Sequence, residues 1–462
     1  MWQSAKASVA ARAPLLALVC GLALAGGASG EDRPELPETL KGHGGPVMGI
    51  VTDPETNRAL TASFDYSVIL WSLEGEGGAV ERRLIGHDAA VNDVAFLPDG
   101  MRAISVSDDG SAIVWDLQSG EPLQRFQDSA DKVLDVAVSG DGRFAAIARW
   151  DDTARLIDLR SLWEVRRFEG HGDSVNAVAF GGEDDGVLYT GSYDGTVRAW
   201  DVATGEERAV VRDHGWGVNE VAVLDDALVY GGLDGTVMRA ALDGNGEHEL
   251  AKSDGPVLSL TVSEDGGRLA AGFGDGMIRV FSTESWKLLE EYYNPYGPVW
   301  GMAFADAAGS GLYYVGLDDF AAFWRVEPRA PFEQPQSTFP RRFQQSADMS
   351  LGERQFQRKC SVCHTLEADD RNRAGPTLYG LFGRRAGSLP DYPYSEGLRN
   401  SDIVWNEETI SELFDHGPDV VTPGSKMPLQ RLTNDEERDA LIAFLKQATL
   451  PDRSGEHAGT EE

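Results

Sequence analysis

Basic residues are scarce in this chain, and so are cysteines. Against 75 Asp and Glu stand only 41 Lys and Arg, a formal charge of −34 over 462 residues. So large a deficit of cations argues against a surface built to neutralise nucleic-acid phosphates. It equally disfavours adhesion to anionic lipid. A partner with a basic patch would instead be steered in by such a field. Only three cysteines occur, Cys20, Cys360 and Cys363, too few for a disulfide framework. No second Cys or His pair is present to complete a four-ligand zinc site. Acidic stretches such as Glu183-Asp184-Asp185 lack the spacing of a calcium loop and read as solvated turns. Apart from one short N-terminal stretch, long apolar runs are missing as well. What remains is a length and an apolar content of 42%, enough for two or three globular domains with a large core.

That N-terminal stretch has the pattern of an export signal. Lys6 and Arg12 precede an apolar run from Pro14 to Ala25, and small residues follow, with Ala23-Leu24-Ala25 or Ala28-Ser29-Gly30 as cleavage sites before Glu31. The run is too short to span a bilayer, so residues 1–30 read as a removable signal peptide rather than an anchor, and no transmembrane segment is expected in the mature chain. Cys20 lies within the run behind Val19, where a lipid-attachment site would want a small residue. Loss of the signal leaves Cys360 and Cys363 as the only cysteines.

Those two belong to Cys360-Ser361-Val362-Cys363-His364, a C-x-x-C-H sequence. The spacing lets two thiols form thioethers to the vinyl groups of one porphyrin, while the adjacent imidazole reaches its iron, which is the attachment pattern of a c-type haem. The competing readings are a redox dithiol, which wants a βαβ setting, and half of a zinc site, which wants two more ligands. An exported chain whose only cysteines form this pair fits a bacterial periplasmic cytochrome, since haem is attached outside the cytoplasm.

Ahead of the motif, similarity recurs about every 40 residues. Gly42-His43 leads to Trp71, Gly86-His87 to Trp115-Asp116 and Gly170-His171 to Trp200-Asp201, and each unit carries Ser-x-Asp six residues before its Trp (Ser63/Asp65, Ser107/Asp109, Ser192/Asp194). Degenerate units run from Asp128 to Asp158, Asp213 to Lys252, Ser253 to Phe281 and Pro295 to Trp324. Alternating apolar positions (Val91, Val94, Phe96; Val175, Val178, Phe180) between D-G turns mark strands and hairpins. The array resembles the WD40 family, in which each unit is a four-stranded blade. The resemblance implies a seven-bladed propeller over 34–330 and assigns His43, His87 and His171 to buried hydrogen-bonded networks rather than to metal ligation or catalysis. Outer strands are expected at Leu123–Gln127 and Val165–Glu169. The seventh unit has no such strand of its own, and Glu35–Leu40 is placed to supply it, closing the ring and removing its exposed edges.

Pro328, Pro331, Pro335 and Pro340 then mark a semi-rigid linker, with 331–347 as its core. Beyond it, residues 348–450 resemble class I cytochrome c, close to the mitochondrial cytochrome c and bacterial cytochrome c2 group. Ser350–Arg358 reads as the helix leading into the haem motif. Gly375-Pro376-Thr377-Leu378, Tyr392-Pro393-Tyr394-Ser395, Trp405 and Pro423-Gly424-Ser425-Lys426-Met427-Pro428 follow in the family's order. The resemblance implies one covalently attached haem c with His364 and Met427 as axial ligands. It implies that the carbonyl of Pro376 braces the His364 ring, and that Arg384, Tyr394 and Trp405 hold the inner propionate. Leu413 stands near the position of an aromatic that in the family contacts the ligand Met. The lysine ring of the mitochondrial proteins is absent: from Asp348 onward there are 13 Lys and Arg against 21 Asp and Glu. Thr433-Asn434-Asp435-Glu436 fits a capping box before a last helix with Leu441, Phe444 and Leu445 on one face. A polar tail, 451–462, ends the chain.

The fold class expected is therefore multidomain, an all-β seven-bladed propeller followed by an all-α class I cytochrome c domain. The function expected is a periplasmic carrier of single electrons, not an enzyme, whose propeller docks redox protein partners. Two alternatives stay open: the electron-accepting domain of a propeller enzyme, and a redox-sensing assembly scaffold.

Overall fold

The computed structural model describes residues 36–450 apart from 76, 77, 225, 244, 328–348, 362, 367, 369–374, 391, 393, 424, 426 and 428–430. The expected signal (1–30), linker core (331–347) and tail (451–462) lie outside the described residues.

Seven four-stranded antiparallel sheets make up the first domain. The innermost strands, Val47–Asp53, Val91–Phe96, Val133–Val138, Val175–Gly181, Val218–Val223, Val257–Val262 and Val299–Phe304, pack on one another in cyclic order and surround the axis. Each begins with a Val that is fully buried and carries a register shift just after it. Outer strands such as Pro122–Phe126 and Trp163–Glu169 are mostly exposed, so their sequence is polar and their ends are the least marked. The last sheet is completed by Thr39–Lys41, paired antiparallel with Phe320–Arg325 through Thr39/Ala322, Leu40/Ala321 and Lys41/Phe320. Leu40 is fully buried with Val47, Trp71, Tyr313 and Phe323, so the first and last blades share one core. The Tyr313 hydroxyl donates to the Pro37 carbonyl at 2.8 Å, tightening the clasp.

Within blade one, His43 Nε2 meets Thr61 Oγ1 at 2.7 Å and Nδ1 meets Asp65 Oδ2 at 3.0 Å, while Trp71 Nε1 donates to Thr61 at 2.8 Å. The same set recurs as His87, Ser105, Asp109 and Trp115, and as His171, Thr190, Asp194 and Trp200. The hydroxyl in the network is thus two residues upstream of the Ser-x-Asp serine. Ser63, for its part, donates to the Pro46 carbonyl and accepts the Asp65 N–H, holding the hairpin. Degenerate blades keep the aspartate and change its partner: His214 meets Asp234 at 3.1 Å, Ser253 donates to Asp275 at 2.6 Å, and Arg155 bridges Asp128 and Asp151. Burial would raise the Asp65 and Asp109 carboxyls, but the histidines beside them, Arg83 near Asp65, and hydroxyl donors hold both well below the usual carboxylate range. Buried polar groups of this kind stabilise only when all are satisfied, and these are.

Neighbouring blades are stitched by side chains of the inner strands. Asn92, Asn176 and Asn219 donate to the carbonyls of Val133, Val218 and Val257 at 2.8–3.0 Å. Asp93 and Asp135 accept the N–H groups of Val136 and Val178.

The second domain is small and helical. Helix α1 spans Leu351–Lys359 with Ser350 as its cap, α2 Glu396–Arg399, α3 Glu407–His416, α4 Pro418–Val421 and α5 Asp435–Ala448. Asn406 and Thr409 form a reciprocal capping box on α3. On α5 the cap is Asn434, whose side chain accepts the Glu437 N–H at 3.1 Å; the box expected from Thr433 is displaced by one residue, because Asn434 takes the extended backbone that precedes the first helical turn. Helices α1 and α5 cross with Phe356 against Phe444, ring centres 5.6 Å apart. At the crossing a Cβ on Gly352 would lie 2.0 Å from the Ala440 carbonyl oxygen, so only glycine admits this approach. Among the described residues no helix is long and apolar enough to cross a membrane.

Candidate haem site

Helix α1 delivers the motif. Cys360 ends the helix with its N–H on the Phe356 carbonyl at 2.7 Å, and the chain turns tightly as the N–H groups of Cys363 and His364 return to the Cys360 carbonyl at 3.0 and 2.9 Å. Cys360 and Cys363 are not joined in a disulfide, and Cys360 is buried. Burial, with Cys363 beside it, pushes the Cys360 thiol up to about 12. A catalytic dithiol needs the opposite, a thiolate favoured near neutrality. A thioether carries no charge, so the same apolar surroundings suit it well.

His364 is fixed from behind. Its Nδ1 donates to the Pro376 carbonyl at 2.8 Å, which places the ring's proton on Nδ1 and makes Nε2 the acceptor nitrogen. The segment carrying Pro376 is pinned to the motif by Gly375 N–H on the Cys363 carbonyl at 2.7 Å and Leu378 N–H on that of Thr365 at 2.8 Å. A Cβ on Gly375 would lie 2.3 Å from the His364 ring, so the imidazole rests directly against bare backbone.

One cavity gathers these groups. Cys360, Cys363, His364, Pro376, Arg384, Tyr394, Trp405 and Met427 all line it, and its walls are mainly apolar. Leu378, Leu381, Leu398, Ile410, Leu413 and Leu445 supply much of those walls. Met427 is half-buried against the core of the domain, with Phe356, Leu381 and Leu441 among its cluster. Leu413 does line the cavity, buried, as an aliphatic wall. Arg384 is half-buried, and its guanidinium is set by the carbonyls of Tyr379 and Thr377 at 2.8 and 2.7 Å. The Trp405 N–H donates to the Arg384 carbonyl at 2.9 Å, which brings arginine and indole to one wall. Tyr394 packs edge-on against Tyr392 with ring centres 4.7 Å apart. Burial raises the Tyr394 phenol and lowers Arg384, and each moderates the other's shift. The wall therefore holds a cation and a neutral hydroxyl group in a mainly apolar setting, the pair of donors a buried carboxylate requires.

Two thiols, a braced imidazole, a thioether sulfur and an apolar slot fit a c-type haem. Sequence reasoning did not single out Tyr66, which reaches the same cavity from the propeller. It stands at a turn position filled by Gly110, Gly195, Gly235 and Gly276 in other blades, and that contrast between repeats was the available signal. The apolar wall from α3 was legible as the periodic Ile410, Leu413 and Phe414.

Fold and site together define a c-type cytochrome domain carried behind a WD40 propeller. Comparison with known proteins agrees: residues 349–449 match the family described as "Cytochrome c", and 34–72, 78–116, 120–158, 163–201 and 246–282 match "WD domain, G-beta repeat". Cytochrome c of Ginkgo biloba is 39% identical over 102 residues, covering 22% of this chain and 89% of the relative. That of Sesamum indicum is 40% identical over 104 residues, 22% and 91%, and that of Chlamydomonas reinhardtii 39% over 104 residues, 22% and 92%. Through this domain the chain belongs to the cytochrome c family, whose haem implies electron transfer.

Proposed function

We propose that this protein carries single electrons on one haem c, held by thioethers from Cys360 and Cys363 and ligated by His364 and Met427, in the bacterial periplasm. The observation that carries the reading is the convergence on one apolar cavity of the His364–Pro376 pair, the two thiols and the Met427 sulfur. When bound, the haem supplies a one-electron couple, and paired His and Met ligands raise its potential. Pro376 keeps Nε2 of His364 aimed and basic; Arg384, Tyr394 and Trp405 are the donors to a propionate; the leucine wall excludes water. His364 and Met427 would hold a bound haem iron between two side chains, leaving no place for a substrate, and the domain would then be a carrier rather than a catalyst.

The propeller, in this reading, is the docking module for protein redox partners, and the acidic surface favours partners with a basic face, more strongly at low salt. Export is supported by the N-terminal signal pattern and by its removal of Cys20, which leaves only the two attachment cysteines. The test is the full chain expressed with a haem-attachment system. Intact mass should show loss of the signal and gain of one haem, and ferric wild type should resist cyanide while Met427→Ala takes it up. A colourless mature chain, or a wild type that binds cyanide as readily as the variant, would refute the carrier.

A further inference from the structure

The hairpins between the second and third strands of the blades provide an internal comparison. Gly110, Gly195, Gly235 and Gly276 occupy the left-handed turn position in four of them, with φ between 78° and 95°. In blade one the residue is Tyr66, with φ of 68°. A bulky side chain in this region is a genuine outlier and persists only where its surroundings over-determine it. The Asp65 network of blade one closes through His43, Thr61 and Ser67 without the ring.

The ring goes elsewhere. Tyr66 lines the cavity that holds Cys363 and His364. It is half-buried, and the groups that bear on its phenol are Cys363 and Tyr392 of the cytochrome domain and Asp108 of the next blade. Tyr392 in turn packs on Tyr394. The strained residue of the propeller and the attachment cysteine of the cytochrome domain are therefore one contact.

We propose that the Tyr66 hairpin is a built-in cover for the Cys363 side of the haem pocket, so that the propeller itself shields this edge from small redox reagents and a partner gains it by displacing the hairpin. The inference rests on the haem reading above. A cover open about a tenth of the time should, when removed, raise the access rate roughly tenfold. The experiment compares full-length holoprotein as wild type, Tyr66→Gly and Tyr66→Phe, measuring the second-order rate of ferrous haem oxidation by ferricyanide. Glycine is what four of the other blades use at this turn, so the ring should still fold, checked by an unchanged or raised propeller melting temperature. The expected result is a rate roughly tenfold higher for Tyr66→Gly and a near-wild-type rate for Tyr66→Phe, which keeps the ring. Equal rates in all three haem-bearing proteins overturn the cover and leave the carrier reading intact. Absence of haem from the wild type, by mass and absorption, overturns both.

Discussion

Gly375 shows how much a single absent side chain decides. The His364 ring lies where a Cβ at this position would be, 2.3 Å away, and its Nδ1 must still reach the Pro376 carbonyl one residue further on. Gly375→Ala should therefore push the imidazole off that carbonyl. Loss of such a supporting hydrogen bond costs about 10–100-fold in metal affinity. The expected outcome is a ferric variant that exchanges His364 for added imidazole at concentrations that leave the wild type unchanged, followed by the Soret shift. At this scale the sequence was readable where chemistry demands a fixed spacing, as in Cys360, Cys363 and His364. Tyr66 was marked only by the glycines at the same turn of four other blades, because its contact with a segment some 300 residues further along leaves no pattern around it.

At the scale of elements, the crossing of α1 and α5 is the tightest joint of the small domain. Gly352→Ala improves helix propensity by about 1 kcal/mol. Against that, the new methyl meets the Ala440 carbonyl oxygen at 2.0 Å, a backbone atom that cannot rotate away. Overpacking of this sort costs about 1–3 kcal/mol, so the clash should win. Calorimetry should show the haem-domain transition lowered and the propeller transition unmoved; two unmoved transitions would mean the helices simply slide apart. Inner and middle strands were legible because their apolar positions alternate. The outer strand Ala79–Ile85 is exposed along most of its length, so nothing selects apolar residues there. The α5 cap was placed one residue early because Thr433, Asn434 and Asp435 can all cap; only the backbone geometry chooses among them.

For the whole molecule, the ring puts three carboxyls where the strand pattern alone suggests solvent. Asp93, Asp135 and Glu220 sit on inner strands of three blades, close enough to act on one another and enclosed by the ring. Burial raises Asp93, Asp135 and Glu220, and the carboxyls opposite add to the rise for Asp93 and Glu220. A carboxyl raised in the folded state contributes stability below its unfolded pKa, near 4, and loses it as pH climbs through the folded value. Asp93→Asn combined with Glu220→Gln should accordingly raise the propeller melting temperature at pH 8, with the gain shrinking toward pH 4. A gain that is constant with pH would dismiss titration as its cause. The alternation of Asp93 with Val91 and Val94 reads as a strand with a wet face, and only closure of the ring turns that face inward. The closing strand itself was countable in advance, since seven units with six outer strands leave one to be found.

That closing strand has a temporal consequence. Thr39–Lys41 leaves the ribosome before any blade, yet its partner at Phe320–Arg325 comes last of the ring. Its hydrogen-bonding edge must wait, unpaired, through the synthesis of nearly 300 residues, and contacts of such long range form slowly. A chain interrupted anywhere in between is left with two raw sheet edges, each a template for aggregation. Cys360 and Cys363 follow the last blade in sequence, so when they emerge every strand the clasp requires has already been made.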